Sequence, residues 1–198
     1  MEPIFKMDSI NGGLPMEISP NNYYHIYNRS NNLEVAFKSS ENYDYFLSKY
    51  CKYLGEMVDT LAYCLMPTHF HFLVFIRSEK TDNIRDAIGV MQSSYTTAIN
   101  KRYDRHGSLF QLHTKAKLIE RDESLFTITT YIHQNPVRAG LVKKLEDWEY
   151  SSYREYIGLK NNNVINTKIL RENYSSIEEF KIISEEMLSS VQESSYEP

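Results

Sequence analysis

Cysteine, tryptophan and glycine are scarce in this chain of 198 residues, with two, one and seven copies respectively. Two cysteines, Cys51 and Cys64, cannot build the disulfide framework of a small secreted domain, and their spacing is not that of a zinc knuckle or a redox pair. They read as buried free thiols in a reducing compartment. No stretch approaches the roughly 18 uncharged apolar residues that a membrane-spanning helix needs. The opening residues, Met1-Glu2-Pro3-Ile4-Phe5-Lys6-Met7-Asp8, are too polar for a secretory leader. The expectation is a soluble, cytoplasmic protein without a membrane partner. Positive charge is also in short supply: the formal net charge of −4 counts against a nucleic-acid partner, which normally meets a basic surface.

That objection weakens once the charge is mapped. Residues 1–145 carry 17 Lys/Arg against 15 Asp/Glu, whereas residues 146–198 carry 5 against 11. Between Lys101 and Lys117 the cations Lys101, Arg102, Arg105, Lys115 and Lys117 face a single acid, Asp104, with His106 and His113 nearby. Such a run is either a DNA-facing surface or an ordinary solvated one. The hydrophobic content of 41% suffices for one compact core. The chain divides into an N-terminal extension (1–20), a main domain (21–156) and an acidic, Ser- and Asn-rich C-terminal extension (157–198).

Within the main domain, Tyr23-Tyr24-His25-Ile26-Tyr27-Asn28 follows the turn-forming Pro20-Asn21-Asn22 and reads as a strand. From Glu41 to Met57 the residues Tyr45, Phe46, Tyr50, Tyr53 and Leu54 recur at helical spacing. The apolar runs Leu61–Met66 and Phe70–Ile76, separated by Pro67-Thr68, predict adjacent antiparallel strands. A second helix over Ile84–Tyr103 buries Ile88, Met91, Tyr95 and Ile99, with Gly107 closing the unit. His113–Ile119 alternates as a strand, placing Lys115 and Lys117 on one face. Asp122-Glu123-Ser124 then caps a helix that carries Tyr131 and ends at Asn135-Pro136. Ile177–Leu188 is a short helix, with a frayed end beyond it. The order β-α-β-β-α-β plus a helix predicts an α+β, ferredoxin-like sandwich: an antiparallel sheet, helices on one face and an extra C-terminal helix.

Four residues stand out chemically. His69 and His71 flank Phe70 in a strand, so both imidazoles project from the same face as a metal half-site. Structurally satisfied histidines are the competing reading of so short a pattern. Tyr131 and Asn135, four residues apart, share a helix face, where a phenol able to attack phosphorus and an amide oxygen able to bind a divalent cation can converge. Against that stands core packing, for which any of sixteen tyrosines qualifies.

From Tyr23 to Tyr156 the chain resembles the REP-associated tyrosine transposases, a branch of the single-tyrosine HUH superfamily (IS200-like). The matching stretches are Tyr24-His25-Ile26-Tyr27-Asn28-Arg29, Leu65-Met66-Pro67-Thr68-His69-Phe70-His71, Gly107-Ser108-Leu109-Phe110-Gln111, the run Tyr131-Ile132-His133-Gln134-Asn135-Pro136-Val137-Arg138-Ala139-Gly140, and Trp148-Glu149-Tyr150-Ser151-Ser152-Tyr153. Their order and spacing make the resemblance specific. It implies His69, His71 and Asn135 as metal ligands for Mg2+ or Mn2+, and Tyr131 as the nucleophile. It further implies nicking and joining of single-stranded or hairpin-forming DNA through a 5′-phosphotyrosine, and a ferredoxin-like fold.

The candidate DNA contacts are Arg29, Lys101, Arg102, Arg105, Lys115 and Lys117. The sequence departs from the family where Leu112-His113-Thr114 replace the usual Gly-Arg-aromatic continuation, which removes an arginine. Two other readings are an inactive hairpin-binding module and a zinc hydrolase held by His69 and His71. Monomer and homodimer are both compatible with the sequence.

Overall fold

Alternating apolar positions become strands and 3.6-residue stripes become helices. The order is β1 (Tyr23–Arg29), α1 (Ser40–Leu54), β2 (Val58–Met66), β3 (His69–Ile76), α2 (Thr81–Tyr103), β4 (Lys115–Leu118), α3 (Leu125–Arg138), α4 (Tyr153–Tyr156) and α5 (Ile177–Ser194). The computed structural model describes residues 18–119, 125–168, 170 and 174–194, with side chains of α5 described as far as Glu186. Most of the expected N-terminal extension and the whole Asp122-Glu123-Ser124 capping segment lie outside the described residues.

The four strands form one antiparallel sheet in the order β2-β3-β1-β4, the α+β, ferredoxin-like arrangement expected from the sequence. Strand alternation divides the side chains between two cores. Tyr24, Ile26, Phe70, Phe72 and Val74 meet α1 and α2, whose Phe46, Tyr50, Ile88, Met91, Tyr95 and Ile99 are buried against them. Tyr50 lies parallel to Phe72 with ring centroids 3.9 Å apart. In α1, Tyr43 and Leu47 join the buried stripe while Tyr45 is exposed.

On the opposite face Leu61, Met66 and Leu73 pack against Phe126, Ile128 and Ile132 of α3. The segment after Tyr156 contributes Leu170 and the fully buried Phe180 to this second core. Gln134 Nε2 donates to the Ser184 carbonyl at 2.9 Å, so α5 is also held to α3 by a buried hydrogen bond.

The helix that carries Tyr131 does not stop at Asn135-Pro136 but continues to Arg138 with Pro136 inside it. Proline has no N–H for the carbonyl four residues back. Asn135 Nδ2 supplies the missing donor, bonding the Ile132 carbonyl at 3.2 Å. Gly140, at φ 68, then reverses the chain, and the Leu141 N–H reaches the Pro136 carbonyl at 2.9 Å.

Smaller differences have similar local causes. β4 begins only at Lys115, because the Gln111 carbonyl and Thr114 hydroxyl are held by Asn28 Nδ2 at 3.0 and 3.1 Å. α2 is closed by Asp104 in the left-handed region (φ 48), with Gly107 (φ 81) in the turn beyond. α5 extends to Ser194 rather than Leu188.

The outer edge of β2 is covered by the chain that follows α3. Leu65 N–H bonds the Tyr150 carbonyl at 2.9 Å, Trp148 Nε1 bonds the Leu65 carbonyl at 3.1 Å, and Ser152 N–H bonds the Tyr63 carbonyl at 3.0 Å. The Tyr63 N–H is taken by Ser152 Oγ at 2.9 Å, and the Leu61 carbonyl by the Tyr156 hydroxyl at 2.8 Å.

Candidate active site

The odd-numbered residues of β1 and β3 face the α3 side of the sheet, and the histidines come together there. In the β1–β3 register Tyr27 stands opposite His71 and His25 opposite Leu73, which makes His25 and His71 diagonal neighbours. Long or aromatic side chains bridge such diagonals. His25 Nε2 and His71 Nδ1 are 2.9 Å apart and hydrogen-bonded. The His69 ring stands perpendicular to that of His71 with centroids 5.1 Å apart, and His69 Nδ1 shares a 3.0 Å hydrogen bond with Thr68 Oγ1.

These imidazoles are held neutral. His25 and His71 are only 4% and 3% exposed. Burial, aided by the Lys117 charge, lowers the pKa of His25 to about 4. Burial also puts His71 well below the usual histidine range, with His25 and His69 adding to the shift. His69 is lowered by burial and by Arg29, its cross-strand partner. A neutral imidazole keeps a lone pair for a cation. His71 Nε2 is buried and has no hydrogen-bond partner among the described residues. Leaving such a nitrogen unpaired is costly unless something binds it.

α3 brings Tyr131 to the same place. Its ring stands at 81° to the His25 ring with centroids 6.5 Å apart. Burial raises the Tyr131 phenol above its ordinary value, and the Arg138 charge opposes that shift. The Arg138 guanidinium lies 5.4 Å from the centre of the Tyr131 ring, and its Nε and Nη2 donate to Gln134 Oε1 at 3.1 and 2.6 Å. One turn after Tyr131, Asn135 spends its amide nitrogen on the Tyr131 and Ile132 carbonyls, at 2.9 and 3.2 Å. Its amide oxygen is the atom suited to a hard cation.

The other tyrosines near family-like positions are committed elsewhere. Tyr95 is fully buried in the opposite core and its hydroxyl donates to the Ala36 carbonyl at 2.9 Å. Tyr103 Oη donates to Asn42 Oδ1 at 3.0 Å. His133, despite its place in the motif, is a core residue. It shares a 2.7 Å hydrogen bond with Ser152 Oγ, and burial lowers its pKa to about 3.

The candidate DNA contacts do not form one surface. Lys115 and Lys117 are exposed and pair in register with Tyr27 and His25, on the face of the histidines. Arg29 lies opposite His69. Lys101 and Arg102 end a helix packed on the other face, and Arg105 follows just beyond it. Of these, Arg102 pairs with Glu41 at 3.4 Å, and Arg105, 13% exposed, is gripped at both ends of its fork by Glu34 at 2.8 and 2.9 Å. Arg105 is therefore already spent in holding the loop after β1.

His25 and Arg138 are the site residues that sequence reasoning passed over. His25 had a legible signal, its strand alternation with Tyr27 and Arg29. Arg138 had none, because the proline before it argued that the helix had ended.

No family model matches the sequence. Over 104 residues the chain is 30% identical to a protein of Haemophilus influenzae named "Putative REP-associated tyrosine transposase", a match covering 48% of this chain and 58% of that one. The chain thus matches little more than half the length of this curated relative. Among solved structures, a REP-associated tyrosine transposase bound to a REP hairpin matches with a TM-score of 0.63 at 14% identity, over 79% of this chain and 98% of that one. The sequence match agrees with the resemblance drawn from the motifs, and the structural match agrees with the fold.

Proposed function

We propose that this relative of the REP-associated tyrosine transposases nicks and rejoins single-stranded, hairpin-forming DNA with Tyr131 as nucleophile and a divalent cation as cofactor. The observation that carries this reading is the convergence of Tyr131, from a helix, with His25, His71 and His69, from two strands, into one group of aromatic rings.

The donor set fits a cation. His71 offers the buried, unpartnered Nε2, His69 a second neutral imidazole, and Asn135 an amide oxygen. Imidazole with carbonyl oxygen suits Mn2+, and Mg2+ is the oxygen-preferring alternative. When bound, the ion polarises the scissile phosphate and offsets charge that develops as the bond breaks.

The rest falls to the chain. Lys115 and Lys117 attract the phosphate backbone beside the histidines, and hairpin shape provides selectivity. Tyr131 Oη attacks phosphorus: the Oη–P bond forms, the P–O3′ bond breaks, and the proton shed by the phenol is matched by one gained at the departing 3′ oxygen. The 5′-phosphotyrosine keeps the energy of the broken ester, so a 3′-hydroxyl can reverse the step without a nucleotide cofactor. Arg138 offers positive charge beside the phenolate that leaves in that reversal.

The zinc-hydrolase reading is disfavoured by the donors. Among the described residues no three His, Cys, Asp or Glu side chains form a cation-binding group, and the third histidine, His25, has its Nε2 committed to His71. The decisive experiment incubates the protein with Mn2+ and hairpins that flank the encoding gene, each carrying a single-stranded arm, and looks for a denaturant-resistant protein–DNA adduct. An adduct in wild type and none in Tyr131→Phe is expected; binding without any adduct would point to the inactive module.

A further inference from the structure

We propose that His25 is a positioning residue that sets the tautomer and orientation of His71, leaving His71 Nε2 as a lone pair for the cation. The inference rests on the reading of His71 as a ligand.

The hydrogen bond between His25 Nε2 and His71 Nδ1, at 2.9 Å, contains one proton. If it sits on His71, that ring is the Nδ1–H tautomer, its buried Nε2 is bare, and His25 accepts through its own bare Nε2. If it sits on His25, the His71 proton moves to Nε2 and the only unpaired nitrogen of the ring becomes a donor with nothing to bond. The bond therefore couples the state of one ring to the availability of the other. Metal-ligating histidines generally bond through their second nitrogen to a carboxylate, carbonyl or water that fixes the ring. Here a second imidazole takes that place, reached across the diagonal of two paired strands.

The fold supports His25 in this role from both sides. Its ring lies edge to edge with that of His71, 23° from coplanar and with centroids 5.1 Å apart, as an in-plane hydrogen bond requires, and Tyr131 stands against it from α3. A change at His25 thus acts on the ligand without deleting any donor of the proposed cation site.

Long-range 1H–15N correlation of the metal-free wild type should show His71 protonated at Nδ1 and bare at Nε2, with His25 bare at Nε2. The opposite tautomer pair would overturn the proposal without any variant. Mn2+ titration then gives the energetic consequence. His25→Phe, which keeps a ring but cannot accept, should weaken Mn2+ binding by about 10- to 100-fold. His25→Gln, whose amide oxygen can accept from Nδ1–H, should recover most of that loss.

Hairpin affinity in chelator and the urea midpoint control for folding. If His25→Phe binds Mn2+ like wild type while His71→Ala does not, His25 has no positioning role and the ligand assignment survives. If His71→Ala also binds like wild type, the cation site itself is wrongly assigned.

Discussion

The Tyr131 ring stands nearly perpendicular to the His25 ring, at 81° and 6.5 Å between centroids, and His25 in turn is hydrogen-bonded to His71. A helix residue and a strand residue separated by the whole of the central sheet sequence are thereby placed around one point. Neither tyrosine that rivals Tyr131 by position has such a neighbour.

Tyr131→Phe removes only the phenolic oxygen and keeps the packing of the ring. Strand cleavage should fall to background, at least the 10²-fold range expected for loss of a group acting in the transition state, with hairpin affinity and Mn2+ binding retained. Mass spectrometry of the trimmed wild-type adduct should place the residual nucleotide on the Tyr131 peptide. Nucleotide on the Tyr95 or Tyr103 peptide would reassign the nucleophile.

His69→Ala removes a proposed ligand from a half-buried position without opening the core. Mn2+ affinity and cleavage should both collapse, the urea midpoint should stay close to wild type, and chelator should reproduce the cleavage loss in the wild type. Full cleavage by His69→Ala in metal-limited buffer would remove this residue from the site.

Lys115→Ala combined with Lys117→Ala should flatten the dependence of log affinity on log salt by about two phosphate contacts. Arg105→Ala should leave that slope alone and cost stability instead, about 1 kcal/mol, since its guanidinium is held by Glu34. A slope unchanged by the double substitution would take β4 out of the DNA path.

Acid should destabilise the fold through its buried histidines. His133 has a folded pKa of about 3, below the unfolded value near 6.5, so the unfolded chain takes up a proton that the folded one refuses. Stability is full above the unfolded value and falls as pH drops from there towards the folded pKa, by about 2 kcal/mol for this residue at pH 5. Urea unfolding of His133→Asn, in chelator, should show a pH 7 to pH 5 loss smaller than that of wild type by about this amount. An equal loss would place the acid sensitivity elsewhere.

Periodicity made the sheet, helices α1 and α2 and the shared face of His69 and His71 legible, because strand alternation and helical stripes are local properties of sequence. The end of α3 was hidden, since its continuation depends on one side chain, Asn135, repairing what Pro136 removes. The allocation of cations was hidden too. Whether Arg105 meets a phosphate or Glu34 is decided by a contact between residues 71 positions apart, which no local pattern encodes. The tie between His25 and His71 likewise required the register of two strands that are not consecutive in the chain.

The strap of chain from Trp148 to Tyr156 along β2 bears on how copies of the protein can meet. Sheet edges with open amides invite strand addition from another molecule. Along β2 the outward-facing groups of Leu61, Tyr63 and Leu65 are already consumed by Trp148, Tyr150, Ser152 and Tyr156. Joining two sheets through β2 would require peeling this strap away first. The strap is also tied to the helix that carries Tyr131 by the hydrogen bond between Ser152 Oγ and His133, so peeling it would loosen the mooring of the proposed nucleophile. A self-associated form that keeps its proposed chemistry intact must therefore be built through some other surface.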